Sequence, residues 1–282
     1  MSTTVEREPR PLTPEELAKP YAKYYTMDLG GPDLEALELL RRDRQMDAAK
    51  ALMPEDISAL LDPGYHEVET GWCMLPNGGG YIAVLHKMPG VTVEMIDWWF
   101  AWHAIEDLRY RIWYPPYHLG IGVDEWARPR LLDPDVPVRD KCRHIIHHVT
   151  EDVGMGAEHI DIHFLGPDEM GFDMERFVAP NVGTFVGGFG FSLNEHQPPD
   201  IPAAPAIMCH FIREIPGGIE FRSRFWMGYT LIDRKPVFML PSGVKVPEAA
   251  VQGLAEHNVR EYTNLRNLLP GIYKELEGKW VV

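Results

Sequence analysis

The chain is short of positive charge and of cysteine, and it has no long apolar run. Against 42 acidic residues stand 27 lysines and arginines, a formal net charge of −15 over 282 residues. No basic stripe offsets that excess, so a phosphate backbone would be repelled and nucleic acid is excluded as the main partner. The three cysteines, Cys73, Cys142 and Cys209, are far apart and form no CxxC pair. They fit reduced, buried thiols and a cytoplasmic setting rather than a disulfide framework. No apolar stretch reaches the length of a membrane span, and the polar, charged Met1–Thr13 does not read as a signal peptide. Signatures such as HExxH, GxSxG or a glycine-rich phosphate loop are missing too. Zincins, serine hydrolases and nucleotide enzymes therefore have no support.

What is present fits one large domain, or one domain with an appendage: 45% hydrophobic and 24% charged residues, with eight tryptophans. Those tryptophans suit a large core, a subunit interface or a pocket for a flat ligand. Met1–Leu12 has no apolar period and reads as a loose arm. Thr13-Pro14-Glu15-Glu16 is a capping box with proline in the first turn, so a helix starts there. Further helices are expected over Pro32–Arg42 and roughly Asp47–Leu61. Residues 1–64 thus form an N-terminal arm and helical appendage, ending near Asp62-Pro63-Gly64, and residues 65–282 form the main domain.

From Tyr65 the period changes to two. Glu67–Leu75 and Tyr81–His86 flank a glycine-rich loop and predict a hairpin. Thr92 caps a tryptophan-rich helix through about Arg109. The proline-rich Trp113–Asp140 predicts a long ordered loop of functional character. Strands follow over Lys141–Thr150, His159–Leu165, Val182–Leu193, Ala206–Ile215 and Ile219–Ile232. No helix intervenes, so the sheet is antiparallel and the fold class is α+β. A strongly curved antiparallel sheet gripping one amphipathic helix fits this order, with the pocket between them.

That helix is the C-terminal run Val246–Gly278, where Ala250, Leu254, His257, Glu261 and Leu265 recur at three and four. His257 and Glu261 point the same way from an otherwise apolar face. An ordinary helix pair is one reading and half of a metal site is the other. Strand alternation adds candidates. It puts Tyr229 at the polar tip of the face carrying Ile219, Phe221, Phe225 and Met227. It also sets His210 beside Met208 and Ile212, and Glu151 in line with Ile145, His147 and Val149. A core histidine, a buried tyrosine or a strand-end glutamate is unremarkable alone; their convergence on one pocket is less so. His144, His147, His148, His159 and His163 could make almost any metal pattern, and most suit surface strand positions.

Longer blocks carry a resemblance. Trp98-Trp99-Phe100-Ala101-Trp102-His103 and its continuation to Trp113, Leu132-Asp133-Pro134, His147-His148-Val149-Thr150-Glu151-Asp152-Val153-Gly154-Met155-Gly156 and Arg222-Ser223-Arg224-Phe225-Trp226-Met227-Gly228 are together unusual. In these the chain resembles the 2,4-diacetylphloroglucinol and phloretin hydrolase family, over nearly everything after the N-terminal arm. The resemblance implies a Bet v 1-like helix-grip fold with an added N-terminal helical part. It also implies zinc-dependent hydrolysis of the carbon–carbon bond joining an acyl group to a phloroglucinol ring, a hydrolase acting on ketonic substances. One Zn²⁺ per chain would be held by His118, Glu151, His257 and Glu261. Tyr110 and His210 would belong to the substrate pocket, with Tyr229 added by the alternation argument and His210 and Tyr229 as catalytic candidates.

The chemistry such an enzyme must do is specific. An aryl carbanion cannot leave, but protonating the acyl-bearing ring carbon gives a β-diketone tautomer. Water attack on the acyl carbonyl then expels an enolate. His210 suits the proton transfer, since imidazole titrates near neutrality, while Tyr110 and Tyr229 would hold ring oxygens. The rival readings are a non-catalytic carrier of hydrophobic ligands, for which buried carboxylates have no use, and a metal-dependent polyketide cyclase or lyase on the same scaffold. The apolar surface of the tryptophan-rich helix and the N-terminal helices predicts a homodimer. No membrane or nucleic acid is expected as partner, only a small aromatic polyketide or polyphenol.

Overall fold

Alternating strands from Gly71 onward build one eight-stranded antiparallel sheet, and a 29-residue C-terminal helix packs against it. The computed structural model describes residues 7–28, 30–193 and 205–281, so part of the expected arm over Met1–Leu12 lies outside the described residues. In chain order come helices α1 (Pro14–Leu17) and α2 (Leu34–Leu39), strands β1 (Gly71–Met74) and β2 (Gly80–Pro89), then helices α3 (Val93–His103) and α4 (Asp107–Arg111). Strand β3 (His118–Val123), helix α5 (Ala127–Leu132) and strands β4 (Ile146–Asp152), β5 (Ala157–Phe164) and β6 (Thr184–Leu193) follow. The chain ends with β7 (Pro205–Ile215), β8 (Gly218–Met227), β9 (Tyr229–Ile232), β10 (Lys235–Phe238) and helix α6 (Glu248–Leu276). The sheet order is β1-β2-β8-β7-β6-β5-β4-β3, with β9 and β10 as a separate ribbon.

The two faces of the sheet have different cover. On one, Met208, His210 and Ile212 of β7 lie directly across from Phe225, Ser223 and Phe221 of β8, and α6 lies over them. On the other, Cys209 and Phe211 pair with Arg224 and Arg222, under the segment that carries Leu52, Ile57, Leu60 and Leu61. Trp226 donates its indole N–H to the Leu52 carbonyl at 2.6 Å, fixing that segment to the sheet. Gly80 admits Val251 of α6 so closely that a Cβ there would sit 2.4 Å from a valine methyl. Tyr21, Tyr24 and Tyr25 bury in the same cluster as α3 and α6.

Local signals were followed where they were strong. The Thr13 capping box is formed in full, with Thr13 and Glu16 bonding each other's backbone. Thr92 caps α3 by accepting from the Met95 N–H. Three corrections have physical causes. The stretch Asp47–Leu61 forms two 3₁₀ pieces, Ala48–Lys50 and Pro54–Leu61, because Pro54 interrupts the run. The expected loop Trp113–Asp140 contains β3 and α5: Pro115 and Pro116 precede the strand, and Pro129 falls in the first turn of α5, where a missing N–H costs no helix bond. The expected strand Ile219–Ile232 breaks at Gly228, whose φ of +92° is open to glycine and costly for other residues.

Candidate metal centre and aromatic pocket

Two elementary geometries bring four donors to one place. His118 and Glu151 are direct cross-strand partners on β3 and β4, so their side chains leave the same face. His257 and Glu261 lie one turn apart on α6. One ligand atom each from His118, Glu151 and His257 fall within 4.8 Å of one another. His118 Nε2 is 3.6 Å from a Glu151 oxygen and 3.4 Å from Glu261 Oε2, and His257 Nε2 is 3.8 Å from that same Glu261 oxygen. A tetrahedral ion with arms of 2.0–2.1 Å would need donor separations of about 3.3–3.4 Å, close to these values.

The orientation of the imidazoles completes the test. His118 Nδ1 faces the Tyr110 carbonyl at 3.4 Å, and His257 bonds the backbone of Asp152. In both rings the buried Nε2 then has no hydrogen-bond partner among the described residues. A bare, buried nitrogen is costly unless something else takes its lone pair. A carbonyl behind each ring is also how a metal-binding histidine is held in the right tautomer. Burial, then the neighbouring Glu151, pushes the Glu261 carboxyl well above its usual range, and burial raises Glu151 to about 7. Burial lowers His257 to about 4 and, with His257 alongside, takes His118 well down. Neutral imidazoles and carboxylates without a cation are the environment a divalent ion would complete. These residues fit a metal.

Around this cluster the support is aromatic. Tyr110 stacks on the His118 ring with centroids 4.2 Å apart and donates its hydroxyl to Glu151. Trp113 donates its indole N–H to the Glu261 carbonyl at 2.8 Å, tying α4's flank to α6. Beyond lies a cavity of about 980 Å³, counted with its open mouth, between the sheet and α6. Its wall is mostly apolar, including Val149, Ile160, Met208, Phe225 and Leu254, with Glu151, His257 and Glu261 at one side. That is a common make-up for a small-molecule site.

Of the expected site residues, His118, Glu151, His257, Glu261, Tyr110 and His210 come together here, and Tyr229 does not. Beyond Gly228 the alternation restarts, so Tyr229 turns to the opposite side of the sheet. There it accepts from Asn77 Nδ2 at 2.7 Å and packs against Phe238. His147 is the reverse case: it is buried and lines the cavity rather than lying on the surface, whereas His148 faces out to Asp161. Tyr262 was not anticipated. Its hydroxyl lies 2.9 Å from His210 Nε2 inside the cavity, while His210 Nδ1 lies 2.9 Å from the Ser223 hydroxyl. Burial brings the His210 pKa down to about 3.

Known proteins match this chain over most of its length. Residues 52–274 match the family described as the DAPG hydrolase PhiG domain. Phloretin hydrolase from Eubacterium ramulus is 32% identical over 266 residues, covering 93% of this chain and 92% of that protein. A 2,4-diacetylphloroglucinol hydrolase from a Pseudomonas species is 29% identical over 272 residues, covering 91% and 88%. The corresponding protein of Pseudomonas protegens is 28% identical over 272 residues.

Proposed function

The chain belongs to the DAPG hydrolase family, and from that membership we propose that it is a zinc-dependent cytoplasmic hydrolase of acylphloroglucinols. It would cleave the carbon–carbon bond between acyl group and ring, releasing a carboxylic acid and the phloroglucinol. The supporting observation is the pair of bare Nε2 atoms on His118 and His257, aimed with Glu151 and Glu261 at one point beside an aromatic-lined cavity. A hydrophobic-ligand carrier has no use for two carboxylates buried there. The fold belongs to this reading as a Bet v 1-like helix-grip domain over residues 65–282, with residues 1–64 as its appendage.

Two imidazoles among the donors favour zinc over magnesium or calcium. When bound, zinc would polarise the acyl ketone and make water a better nucleophile near neutral pH. The rest falls to the chain's own groups. Tyr110 holds Glu151 and the His118 ring in place, and the apolar wall takes the aromatic ring and excludes water. His210 acts on the protonation at the ring through the Tyr262 hydroxyl that its Nε2 meets. His210→Asn is expected to keep metal and fold but to lose on the order of 10²-fold or more in rate. Zinc content, melting temperature and turnover measured on one preparation decide this; a destabilised but fully active variant would remove His210 from the reaction. The function itself is tested by product analysis with 2,4-diacetylphloroglucinol and phloretin, where release of acetate or the arylpropanoic acid is required.

Homodimerisation is the last part of the reading. The α3 tryptophans are spent inside the chain, with Trp98 stacked on Trp102 and both buried. A dimer surface would therefore draw on exposed residues such as Leu17, Leu34, Leu39 and Trp126. Light scattering is expected to give twice the 32.2 kDa chain mass at micromolar concentration. A monomer mass would reject it.

A further inference from the structure

We propose that the Tyr262 hydroxyl is the donor that recognises the ring oxygen beside the acyl-bearing carbon, with His210 and Ser223 behind it as positioning residues. The inference rests on the acylphloroglucinol reading and assigns a specificity-determining group within it. Three hydroxyls lie in the cavity wall among the described residues: those of Tyr110, Ser192 and Tyr262. The first donates to Glu151 and the second to Glu158, so both protons are already committed to carboxylates. Among the described residues the Tyr262 hydroxyl bonds only an imidazole nitrogen, and that nitrogen can donate or accept.

The hydrogen-bond network decides which. Ser223 is completely buried, and among the described residues its hydroxyl meets only His210 Nδ1, at 2.9 Å. If Nδ1 carried the proton, the serine hydroxyl would accept it and leave its own proton buried without an acceptor. That arrangement is costly. The favoured arrangement has Ser223 donating to Nδ1 and Nε2–H donating to the Tyr262 oxygen. The proton of Tyr262 is then free to point into the cavity. Both imidazole nitrogens are occupied, so His210 meets no substrate atom directly.

Position supports the role. Tyr262 follows Glu261 on α6, so its ring is held at a fixed distance from the donor cluster. Phe221 at 4.4 Å and Trp113 at 5.3 Å between ring centroids clamp it further. A donor there meets an oxygen close to the acyl carbon. In an acylphloroglucinol that is the ring oxygen flanking the acyl group, on which enolate charge develops as the bond breaks. A preorganised donor at such an atom helps the reaction as well as recognition.

The test compares 2,4,6-trihydroxyacetophenone with 4-hydroxyacetophenone, which lacks both flanking oxygens. Stopped-flow tryptophan fluorescence on the zinc-loaded enzyme reads binding before turnover, with Trp113 in the wall as reporter. The wild type is expected to prefer the trihydroxy ligand by about tenfold or more, and Tyr262→Phe to reduce the preference to about twofold or less. His210→Asn should fall between, because the hydroxyl is present but no longer held. Full preference retained by Tyr262→Phe would overturn the assignment. If that variant does not fold, Ser223→Ala must weaken the preference several-fold, and an unchanged preference would likewise overturn it. Failure of the wild type to bind either ligand would overturn the acylphloroglucinol reading and this inference with it.

Discussion

Replacing His257 or Glu261 by alanine is expected to remove the bound metal and, with it, nearly all turnover. Each contributes a donor to a cluster that has four, and an alanine side chain at either position offers no atom to replace it. Changing a residue that only supports a ligand commonly costs 10–100-fold in metal affinity, and losing a ligand should exceed roughly 10²-fold. Tyr110→Phe supplies the internal contrast, since it deletes the hydroxyl that bonds Glu151 but leaves all four donors. Its metal loss should be partial where that of His257→Ala is nearly complete. Stability gives a second readout: zinc bound only to the folded state raises the melting temperature, so chelation should lower it in the wild type and barely move it in His257→Ala. Stoichiometric zinc and full activity in either alanine variant would mean that the site is misassigned.

Why the sequence led so directly to this cluster and not to Tyr262 or away from Tyr229 has a geometric answer. His257 and Glu261 are separated by one helical turn, and Glu151 sits in a strand whose alternation runs unbroken from His147. Both periods survive folding, so both faces could be read. His118 was harder, because β3 is short, irregular between His118 and Gly120, and embedded among prolines that suggest a loop. Its position came through the resemblance. Tyr229 was misplaced because period-two counting passed through Gly228, where a positive φ resets the direction of the side chains. Tyr262 escaped for the opposite reason. A single-stripe reading of α6 follows His257, Glu261 and Leu265, but Asn258, Val259, Tyr262 and Thr263 are buried as well. The helix is covered by strands, by Trp113 and by the N-terminal segment, and one stripe cannot represent a helix enclosed on several sides.

The outer face of the sheet carries the largest expected effect on stability, at Glu69. Its carboxylate takes two bonds from Arg222, at 2.6 and 3.1 Å, and a third from Arg224, and it also accepts the His66 N–H at 2.7 Å. Both arginines are fully covered, and the Glu69 side chain is 10% exposed. Burial alone would raise its pKa, but Arg224 and Arg222 outweigh it and hold the carboxyl at about 2. Glu69→Gln leaves two buried guanidinium groups without their counter-charge, which typically costs about 3–5 kcal/mol. The sign with pH follows from the lowered pKa. The charged form is favoured by folding, so its contribution is fully present above about 4.5 and is lost as pH falls toward 2. The difference of about 2.5 pH units corresponds to roughly 3 kcal/mol. Urea unfolding of wild type and Glu69→Gln at pH 7, 5 and 3 should therefore show a wide gap at the first two values and a clearly narrower one at the third. Arg224 also donates to the Ser223 carbonyl at 2.8 Å, directly behind the Ser223–His210–Tyr262 chain. The buried ion cluster thus anchors the strand on which the pocket's hydrogen-bond chain is built. A gap below about 1 kcal/mol at pH 7 would fall within the ordinary worth of an exposed ion pair. That result, or a gap that does not change with pH, would show that the cluster is not what holds this strand.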